Sequence, residues 1–353
     1  MININKPSLI IDSLKVKLNI QNMIAKLDDV KNLRPHFKTH QSKDVSNIFK
    51  ILGVKKITVS SVSMAKYFAK DWNDITIAFP VNILEIDDIN KLSRKITLNL
   101  LVESIDTVVY LQNNLKNKVG LFIKIDTGYN RTGLTSEDIE VSTIINEIRN
   151  SNIIHFKGFL AHAGHTYSAK STKEILSIMD NSKKILSGIK NKYIHSFPNI
   201  ITSYGDTPSC SISDNLNGFD EYRPGNFVYY DIMQYHLGSC AIEDIAVAVA
   251  CPVVAKHKSR NEIIIYGGGV HLSKEFMEDD NNNRSYGYVV EFTNYKWKYQ
   301  DTVSYLKSLS QEHGILKVSK ELMNRVEVGS LIGILPIHSC MTANLLRDSS
   351  ILV

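Results

Sequence analysis

The sequence predicts an α/β protein in which a (β/α)8 TIM-type barrel, residues 12–235, is followed by a β-rich C-terminal domain, residues 236–353. The first observation is that apolar, strand-like runs alternate with amphipathic helical patterns about eight times over roughly 220 residues, which fits a closed barrel better than an open sheet. The second is that helical periodicity nearly disappears after residue 235, where strand patterns take over. We expect a strand within residues 1–11 to join the C-terminal domain.

The predicted elements of the barrel follow one another in βα order. Apolar runs predict strands at 56–60, 74–79, 97–102, 119–126, 153–161 and 199–203. The amphipathic stretches predict helices at 13–31, 45–52, 62–70, 83–92, 105–115, 139–149 and 170–190. Asp12 or Ser13 can cap the first of these helices, because a short polar side chain accepts hydrogen bonds from free backbone N–H groups. In the C-terminal part, strand patterns lie at 245–255, 262–266, 285–292 and 325–335.

Composition and charge narrow the class of protein. The chain has 353 residues, 43% of them hydrophobic, and a formal net charge of +5 without a basic run, which argues against a nucleic-acid partner. The N-terminus lacks the pattern of a secretory signal, and no stretch approaches the roughly 20 apolar residues that span a membrane. The four cysteines are too few and too scattered for a disulfide framework. We therefore expect a cytoplasmic protein with no membrane partner.

The segment 34–40, Arg-Pro-His-Phe-Lys-Thr-His, supplies the first candidate catalytic residue. Pro35 fixes φ, and residues 37–39 have the pattern of a strand end that leads into a helix near Gln41 or Ser42. A lysine at the carboxyl end of a barrel strand is placed where such folds carry out chemistry, so Lys38 is a candidate nucleophile. The alternative is that Lys38 is one of many solvated lysines.

Two later segments also follow predicted barrel strands. Arg131 lies in the glycine-bounded turn 126–133, which can place donors over the barrel mouth or can be an ordinary loop. In the segment 160–167, the alternation of side chains at a strand end favours a cofactor-facing role for His162 and Tyr167. The role of His165 is left open, and a core histidine with satisfied hydrogen bonds is the alternative for His162.

Small and hydroxylated residues near the end of the barrel predict a phosphate site. They lie in the segments 203–209 and 222–231, where backbone N–H groups can approach an anion because side chains are small or absent. Each segment is a weak signal by itself. The run Gly267-Gly268-Gly269 is weaker still, because it precedes no predicted helix and fits a tight turn of the β-rich domain.

His338 and Cys340 are candidate metal ligands. In an extended segment, residues i and i+2 point to the same face, so the imidazole and the thiolate could bind one ion together. Nitrogen and sulfur ligands favour zinc. Two ligands make an incomplete site, although a catalytic metal that binds its substrate needs open positions.

Six motifs together resemble one known family. They are Arg-Pro-His-Phe-Lys-Thr-His at 34–40, Asp-Thr-Gly-Tyr-Asn-Arg-Thr-Gly at 126–133, His-Ala-Gly-His-Thr-Tyr at 162–167, Arg-Pro-Gly-Asn-Phe-Val-Tyr-Tyr-Asp at 223–231, Ser-Gln-Glu-His-Gly at 310–314 and Ile-His-Ser-Cys at 337–340. Their order and spacing are similar to those of the D-serine dehydratase and D-threonine aldolase family of alanine-racemase-like enzymes. That resemblance covers the chain from about residue 9 to residue 346 and implies a barrel that binds pyridoxal 5'-phosphate (PLP), followed by a β domain.

The resemblance also implies a role for each candidate. Lys38 would bind PLP covalently and later move the Cα proton, and Tyr167 would contact the pyridine nitrogen. Arg131 would lie beside the ring, with His162 also facing the cofactor. The phosphate would be bound by Thr207, Gly225 and Asn226. Zn²⁺ would be bound by His338 and Cys340.

These roles imply β-elimination of water from D-serine or a similar D-3-hydroxy amino acid, giving a 2-oxo acid and ammonia, in an enzyme that the family resemblance suggests is a homodimer. The His-x-Cys pair resembles the dehydratases, whereas aldolases of the family typically carry His-x-Asp. A D-threonine aldolase is the main alternative, and a non-catalytic PLP carrier would leave the metal pair unexplained. The sequence 266–273 departs from the family's commoner Asp-Ala-Gly-type sequence, which could indicate D-threonine or D-3-hydroxyaspartate as the substrate.

Overall fold

The structure is a computed structural model that describes residues 4–278, 282–299 and 304–353. The chain divides into two compact units. The first contains residues 1–20, 39–48 and 226–353, and the second contains residues 21–38 and 49–225. In the described ranges, no helix combines the length and the apolar character that crossing a membrane requires. The domain bounds expected from the sequence, 12–235 and 236–353, stay a prediction.

The strands follow in chain order. They are β1 (Ser8–Ile11), β2 (Ile57–Val59), β3 (Asp74–Pro80), β4 (Thr97–Val102), β5 (Val119–Lys124), β6 (Ile154–Ala161), β7 (Ile201–Tyr204), β8 (Glu221–Tyr222), β9 (Val247–His257), β10 (Glu262–Tyr266), β11 (Met277–Glu278), β12 (Arg284–Ser285), β13 (Gly287–Thr293), β14 (Lys296–Lys298), β15 (Tyr305–Leu309), β16 (His313–Lys317), β17 (Leu331–Pro336) and β18 (Ser350–Leu352).

The α-helices fill most of the intervals between the strands. They are α1 (Ser13–Ala25), α2 (Lys43–Ile51), α3 (Val62–Phe68), α4 (Ile86–Ser93), α5 (Ile105–Asn114), α6 (Ile139–Ile148), α7 (Thr172–Tyr193), α8 (Thr207–Ile212), α9 (Ile232–His236), α10 (Gly269–Leu272), α11 (Lys320–Arg325) and α12 (Ser339–Leu345).

The second unit is built on a parallel sheet that closes into a barrel. Strands β2 to β8 pair in sequence order, each parallel to the next. The eighth position is filled by residues 33–36, since Leu33 bridges to Tyr222 of β8 and His36 bridges to Thr58 of β2. The predicted (β/α)8 barrel is therefore confirmed, although its closing segment makes isolated bridges rather than a continuous strand.

The closing segment ends earlier than the sequence predicts. Residues 37–40 form a turn, whereas an extended strand end was expected at 37–39. Backbone hydrogen bonds close the barrel up to Phe37, whose N–H donates to Thr58 at 2.9 Å. Gln41 then has a φ of +44°, which a right-handed helix cannot contain, so α2 begins at Lys43. Lys38 consequently lies in a turn immediately after the barrel wall.

Buried ion pairs hold the closing segment to the strands beside it. The Arg34 guanidinium donates to Glu221 at 2.7 Å and to Asp74 at 2.7 Å, and the Arg34 side chain is only 4% exposed. Lys56 adds a second contact to Glu221 at 2.8 Å. Because an unpaired buried charge is costly, loss of any one partner would destabilise the others. The charged groups around Arg34 in the barrel interior are thus paired with one another.

The first unit is built on an antiparallel sheet. Its strand order is β10-β16-β15-β13-β17-β9-β1-β18, and an additional pairing of β10 with β9 closes part of the sheet on itself. The strand β1 pairs antiparallel with β9 and parallel with β18, so the first and the last strand of the described residues lie side by side. The predicted β-rich C-terminal domain is confirmed.

Short helices make this sheet less uniform than the sequence suggests. The predicted strand 325–335 begins only at Leu331, because α11 ends at Arg325 and a turn with Gly329 at a φ of +89° intervenes. The glycine run 267–269, expected to precede no helix, leads directly into α10. Both differences involve single helical turns, which leave too few residues for a periodic pattern.

Candidate active site

Lys38 and His162, both predicted site residues, lie close together in the second unit. Lys38 comes directly after the segment that closes the barrel, and His162 directly after β6. Burial lowers the pKa of His162 well below its usual value, and the charges of Lys124, Lys38 and Arg131 lower it further. The carboxyl ends of the barrel strands therefore carry a concentration of positive charge around His162.

We call the residues Lys38, Lys124, Arg131 and Arg223 the cationic cluster. Its buried members are Lys124, at the end of β5, and Arg223, which follows β8; they are 4% and 5% exposed. Burial lowers the pKa of Lys124 from 10.5 to about 7, and the charges of Arg223 and Arg131 act in the same direction. Asp126 and Glu103 offset this effect only in part. An anion bound here would relieve the repulsion between these cations.

The lowered pKa of Lys124 has a measurable consequence for cofactor-free protein. Between pH 7 and 10.5, the folded lysine has released a proton that the unfolded lysine still binds, so this residue makes stability rise with pH. The slope from one such group approaches about 1.4 kcal/mol per pH unit. Urea unfolding of wild type and Lys124→Met across this range should show a steeper rise for the wild type. If the free energies of unfolding of the two proteins changed with pH in parallel, the lowered pKa of Lys124 would be contradicted.

Hydrogen bonding determines the tautomer of His162. Its Nδ1 lies 2.6 Å from the carbonyl oxygen of Gly205, which can only accept, so Nδ1 carries the proton. Since the ring is neutral, Nε2 is an acceptor. The Tyr129 ring packs edge-on to His162 and stacks on His165. The Arg131 guanidinium lies 4.9 Å from the centroid of the Tyr129 ring. Arg131, His162 and His165 are therefore held around one tyrosine.

The residues predicted to bind phosphate in this unit also come together. The Thr207 N–H donates to the Tyr167 hydroxyl at 3.4 Å, and the Gly225 N–H donates to the Thr207 hydroxyl at 3.3 Å. Next to them, a Cβ atom on Gly205 would lie 2.7 Å from the backbone of Arg223, so only glycine fits there. The contact of Tyr167 with a pyridine nitrogen stays a prediction.

These features fit PLP. Its phosphate is an anion, and around Lys124 the charges of Arg223 and Arg131 are offset only in part by Asp126 and Glu103. Gly205 and Gly225 add no side chains near the Thr207 hydroxyl, so backbone N–H groups can approach a phosphate there. Lys38, which lies exposed in a turn next to these cations, supplies the primary amine that covalent attachment of PLP requires. The residues present thus match the charge, the shape and the reactive group of the cofactor.

The predicted metal ligands, His338 and Cys340, lie in the first unit at the start of α12. They are not on an extended segment as the sequence suggested, because β17 ends at Pro336 and His338 is the N-cap of α12. The strand-to-helix turn nevertheless brings the two side chains together. Although burial lowers it, hydrogen bonds to Cys340 and Glu275 raise the pKa of His338 to about 11. Among the described residues, no three His, Cys, Asp or Glu side chains could hold an ion together.

Glu275 orients His338. Its carboxylate lies 2.7 Å from His338 Nδ1, and because a carboxylate accepts, Nδ1 carries the proton. This leaves Nε2 as the nitrogen for a metal, in the carboxylate-histidine arrangement common around metal sites. One imidazole nitrogen and one sulfur are suitable ligands for Zn²⁺, and the remaining positions would be open to water or substrate. The residues present therefore fit a catalytic zinc ion.

The side chains around Cys340 form a buried hydrogen-bonded group. The sulfur lies 3.2 Å from the Thr39 hydroxyl and 3.5 Å from the Asn226 amide nitrogen. The same amide also donates to Asp231 at 2.5 Å. As placed, the Asn226 side chain has only its oxygen without a partner, so a contact with phosphate would use the Asn226 backbone N–H. Its predicted phosphate role stays a prediction.

Two comparisons of sequence identify the family of the chain. Residues 11–232 match the alanine racemase N-terminal domain, and residues 246–352 match the putative serine dehydratase domain. The D-serine dehydratase of Dictyostelium discoideum is 30% identical, over 98% of this chain and 93% of its own length. The chain belongs to the D-serine dehydratase family. This membership confirms the resemblance of the motifs and makes the protein a PLP-dependent lyase.

Other members of the family agree with this assignment. The D-threo-3-hydroxyaspartate dehydratase of Delftia sp. (strain HT23) is 25% identical, over 97% of this chain and 92% of its own length. A solved structure described as the metal-free form of a cysteine-to-alanine mutant of D-threo-3-hydroxyaspartate dehydratase has a TM-score of 0.87. It covers 97% of this chain and 93% of its own at 24% identity, and so shows the alanine-racemase-like fold.

Sequence reasoning missed Lys124 and Glu275 as candidates. Lys124 carried a signal, because it ends an apolar barrel strand just as Lys38 follows one. Glu275 carried none, since it lies 63 residues before His338 and only the folded chain brings the two together. Thr39 and Asp231 were inside recognised motifs without a role of their own.

Proposed function

We propose that this enzyme removes water from D-serine or a similar D-3-hydroxy amino acid, with PLP and Zn²⁺, to give a 2-oxo acid and ammonia. The observation that carries the proposal is the His338 and Cys340 pair, whose side chains are in hydrogen-bond contact while Glu275 holds His338 Nδ1. Relatives named for dehydration of D-serine and of D-threo-3-hydroxyaspartate support this chemistry. The description of one relative as metal-free supports a metal in the reaction.

The residues of the second unit would bind the cofactor and move the proton. PLP, when bound, supplies an electron sink for the negative charge left at Cα. Lys38 would hold it covalently, and the freed amine would take the Cα proton. The guanidinium groups of Arg131 and Arg223 keep the surroundings positive and would attract the phosphate of the cofactor.

The residues of the first unit would assist the departure of the hydroxyl group. Hydroxide is a poor leaving group, and Zn²⁺, when bound, would supply a Lewis acid that assists its departure. His338 and Cys340 would hold the ion, and Glu275 would fix the orientation of the imidazole. Asp231 accepts from the Ser339 N–H at 2.9 Å and so anchors the first turn of α12 that carries Cys340.

Product analysis tests the function. Purified, zinc-supplemented protein should convert D-serine to pyruvate and ammonia, and incubation with D-threonine and D-3-hydroxyaspartate would rank the substrates. The same samples treated with a chelator should lose activity, and L-serine serves as the stereochemical control. Glycine and an aldehyde from D-threonine would instead indicate the aldolase reaction. Bound cofactor without turnover of any substrate would indicate a carrier protein.

A further inference from the structure

We propose that Thr39 is a positioning residue for the metal site: its hydroxyl donates a hydrogen bond to the sulfur of Cys340 and limits the charge that this sulfur gives to the metal. The proposal rests on the proposed function, because it assumes that Cys340 is a metal ligand. The proposal goes beyond that function because it explains how a metal bound by a thiolate could still strongly polarise a substrate oxygen.

The geometry around Thr39 supports one direction for this hydrogen bond. Thr39 is fully buried, and its Oγ1 lies 3.2 Å from Cys340 Sγ. A sulfur that binds a metal is a thiolate and has no proton to give, so the hydroxyl must donate. No other hydrogen bond of the Thr39 side chain occurs within the described ranges. The Thr39 hydroxyl therefore hydrogen-bonds to the Cys340 sulfur.

A second donor strengthens the case. The Asn226 amide nitrogen lies 3.5 Å from the same sulfur and is fixed by Asp231 and by the Ser339 hydroxyl at 3.2 Å. Asp231 is 1% exposed and also binds the Ser339 backbone, so one buried carboxylate fixes both the donor and the helix that carries Cys340. The sulfur is therefore in contact with two buried polar side chains, Thr39 and Asn226.

These hydrogen bonds have a chemical consequence. A free thiolate donates more charge to zinc than a carboxylate does, and this reduces the capacity of the ion to polarise another ligand. Hydrogen bonds to a ligand atom withdraw part of that charge, which is how groups around a metal tune it. Thr39 also follows Lys38 directly in the sequence, so the residue that tunes the sulfur is the neighbour of the residue that moves the proton.

The test compares Thr39→Val, which keeps the shape of the side chain, with Thr39→Ser, which keeps the hydroxyl. Each PLP-loaded protein is substituted with Co²⁺, and the sulfur-to-cobalt charge-transfer band is recorded together with kcat. We expect the band of Thr39→Val to move to longer wavelength, because its sulfur donates more charge. Since a hydrogen bond to a charged group is involved, kcat should fall roughly tenfold. Thr39→Ser should restore both values.

Controls separate this role from a structural one. Thr76→Val also removes a fully buried hydroxyl, which accepts from Asn99 at 3.3 Å, and it should leave the cobalt band unchanged. If Thr39→Val does not fold, Thr39→Ala takes its place. An unchanged band in the loaded Thr39 variant would overturn the proposal and leave the metal-dependent function intact. Absence of the band from the wild type would overturn both.

Discussion

Replacing Lys38 with alanine will abolish both the visible absorbance of bound PLP and all measurable turnover. The reason is that one amine would have two tasks, covalent attachment of the cofactor and transfer of the Cα proton, and general acid-base transfer alone contributes about 10²–10⁴-fold. The absorbance spectrum and product formation from D-serine check the two tasks separately. We expect both signals to disappear in the same variant.

Two controls make this result specific to Lys38. Lys55→Ala removes an exposed lysine of the same unit and should retain both absorbance and turnover. The thermal midpoint of Lys38→Ala should stay close to that of cofactor-free wild type, because the Lys38 side chain is exposed. Turnover by folded Lys38→Ala at the wild-type rate would refute the assignment of the nucleophile.

Replacing Cys340 with alanine will remove the metal and the elimination activity while PLP stays bound. The sulfur is one of only two predicted protein ligands, so the remaining imidazole would hold an ion weakly. Loss of Lewis-acid assistance is worth several kcal/mol, so the rate should fall by about 10³-fold or more. Metal analysis, the cofactor spectrum and pyruvate formation measure the three properties on one sample.

The matched control is Cys240→Ala. Cys240 is a partly buried free thiol of the same unit that was never predicted to bind a metal, and its replacement should keep metal content and rate. If Cys340→Ala keeps the wild-type rate after treatment with a chelator, the metal has no part in catalysis. Retained metal without activity would instead indicate a second, unrecognised ligand set.

The sequence predicts the repeating part of the fold well because its signals are local. Helices α3, α5 and α7 begin after Ser61, Ser104 and Ser171, whose side chains accept from the backbone three residues later. The strands between them are short apolar runs, and β4 lies at the predicted bounds, 97–102. A βα unit is thus encoded within about 30 neighbouring residues.

The remaining features depend on contacts between distant residues. Leu33 and His36 complete the barrel through single bridges, and Pro35 between them has no N–H to continue a ladder, so no strand pattern marks the segment. The pairing of Glu275 with His338 and that of Thr39 with Cys340 join positions 63 and 301 residues apart. Motif spacing suggested His338 and Cys340, but only the fold could reveal which side chains surround them.

Because residues 33–36 close the barrel, Lys38 is synthesised long before it can fold into its final position. Arg34 and its partner Glu221 lie 187 residues apart. During synthesis, the lysine leaves the ribosome long before β8 exists. Contacts between such distant positions cost loop-closure entropy before they return any energy, so they form late in folding. If Lys38 holds the cofactor, as proposed, the nascent chain would bind it only after almost the whole barrel has been assembled.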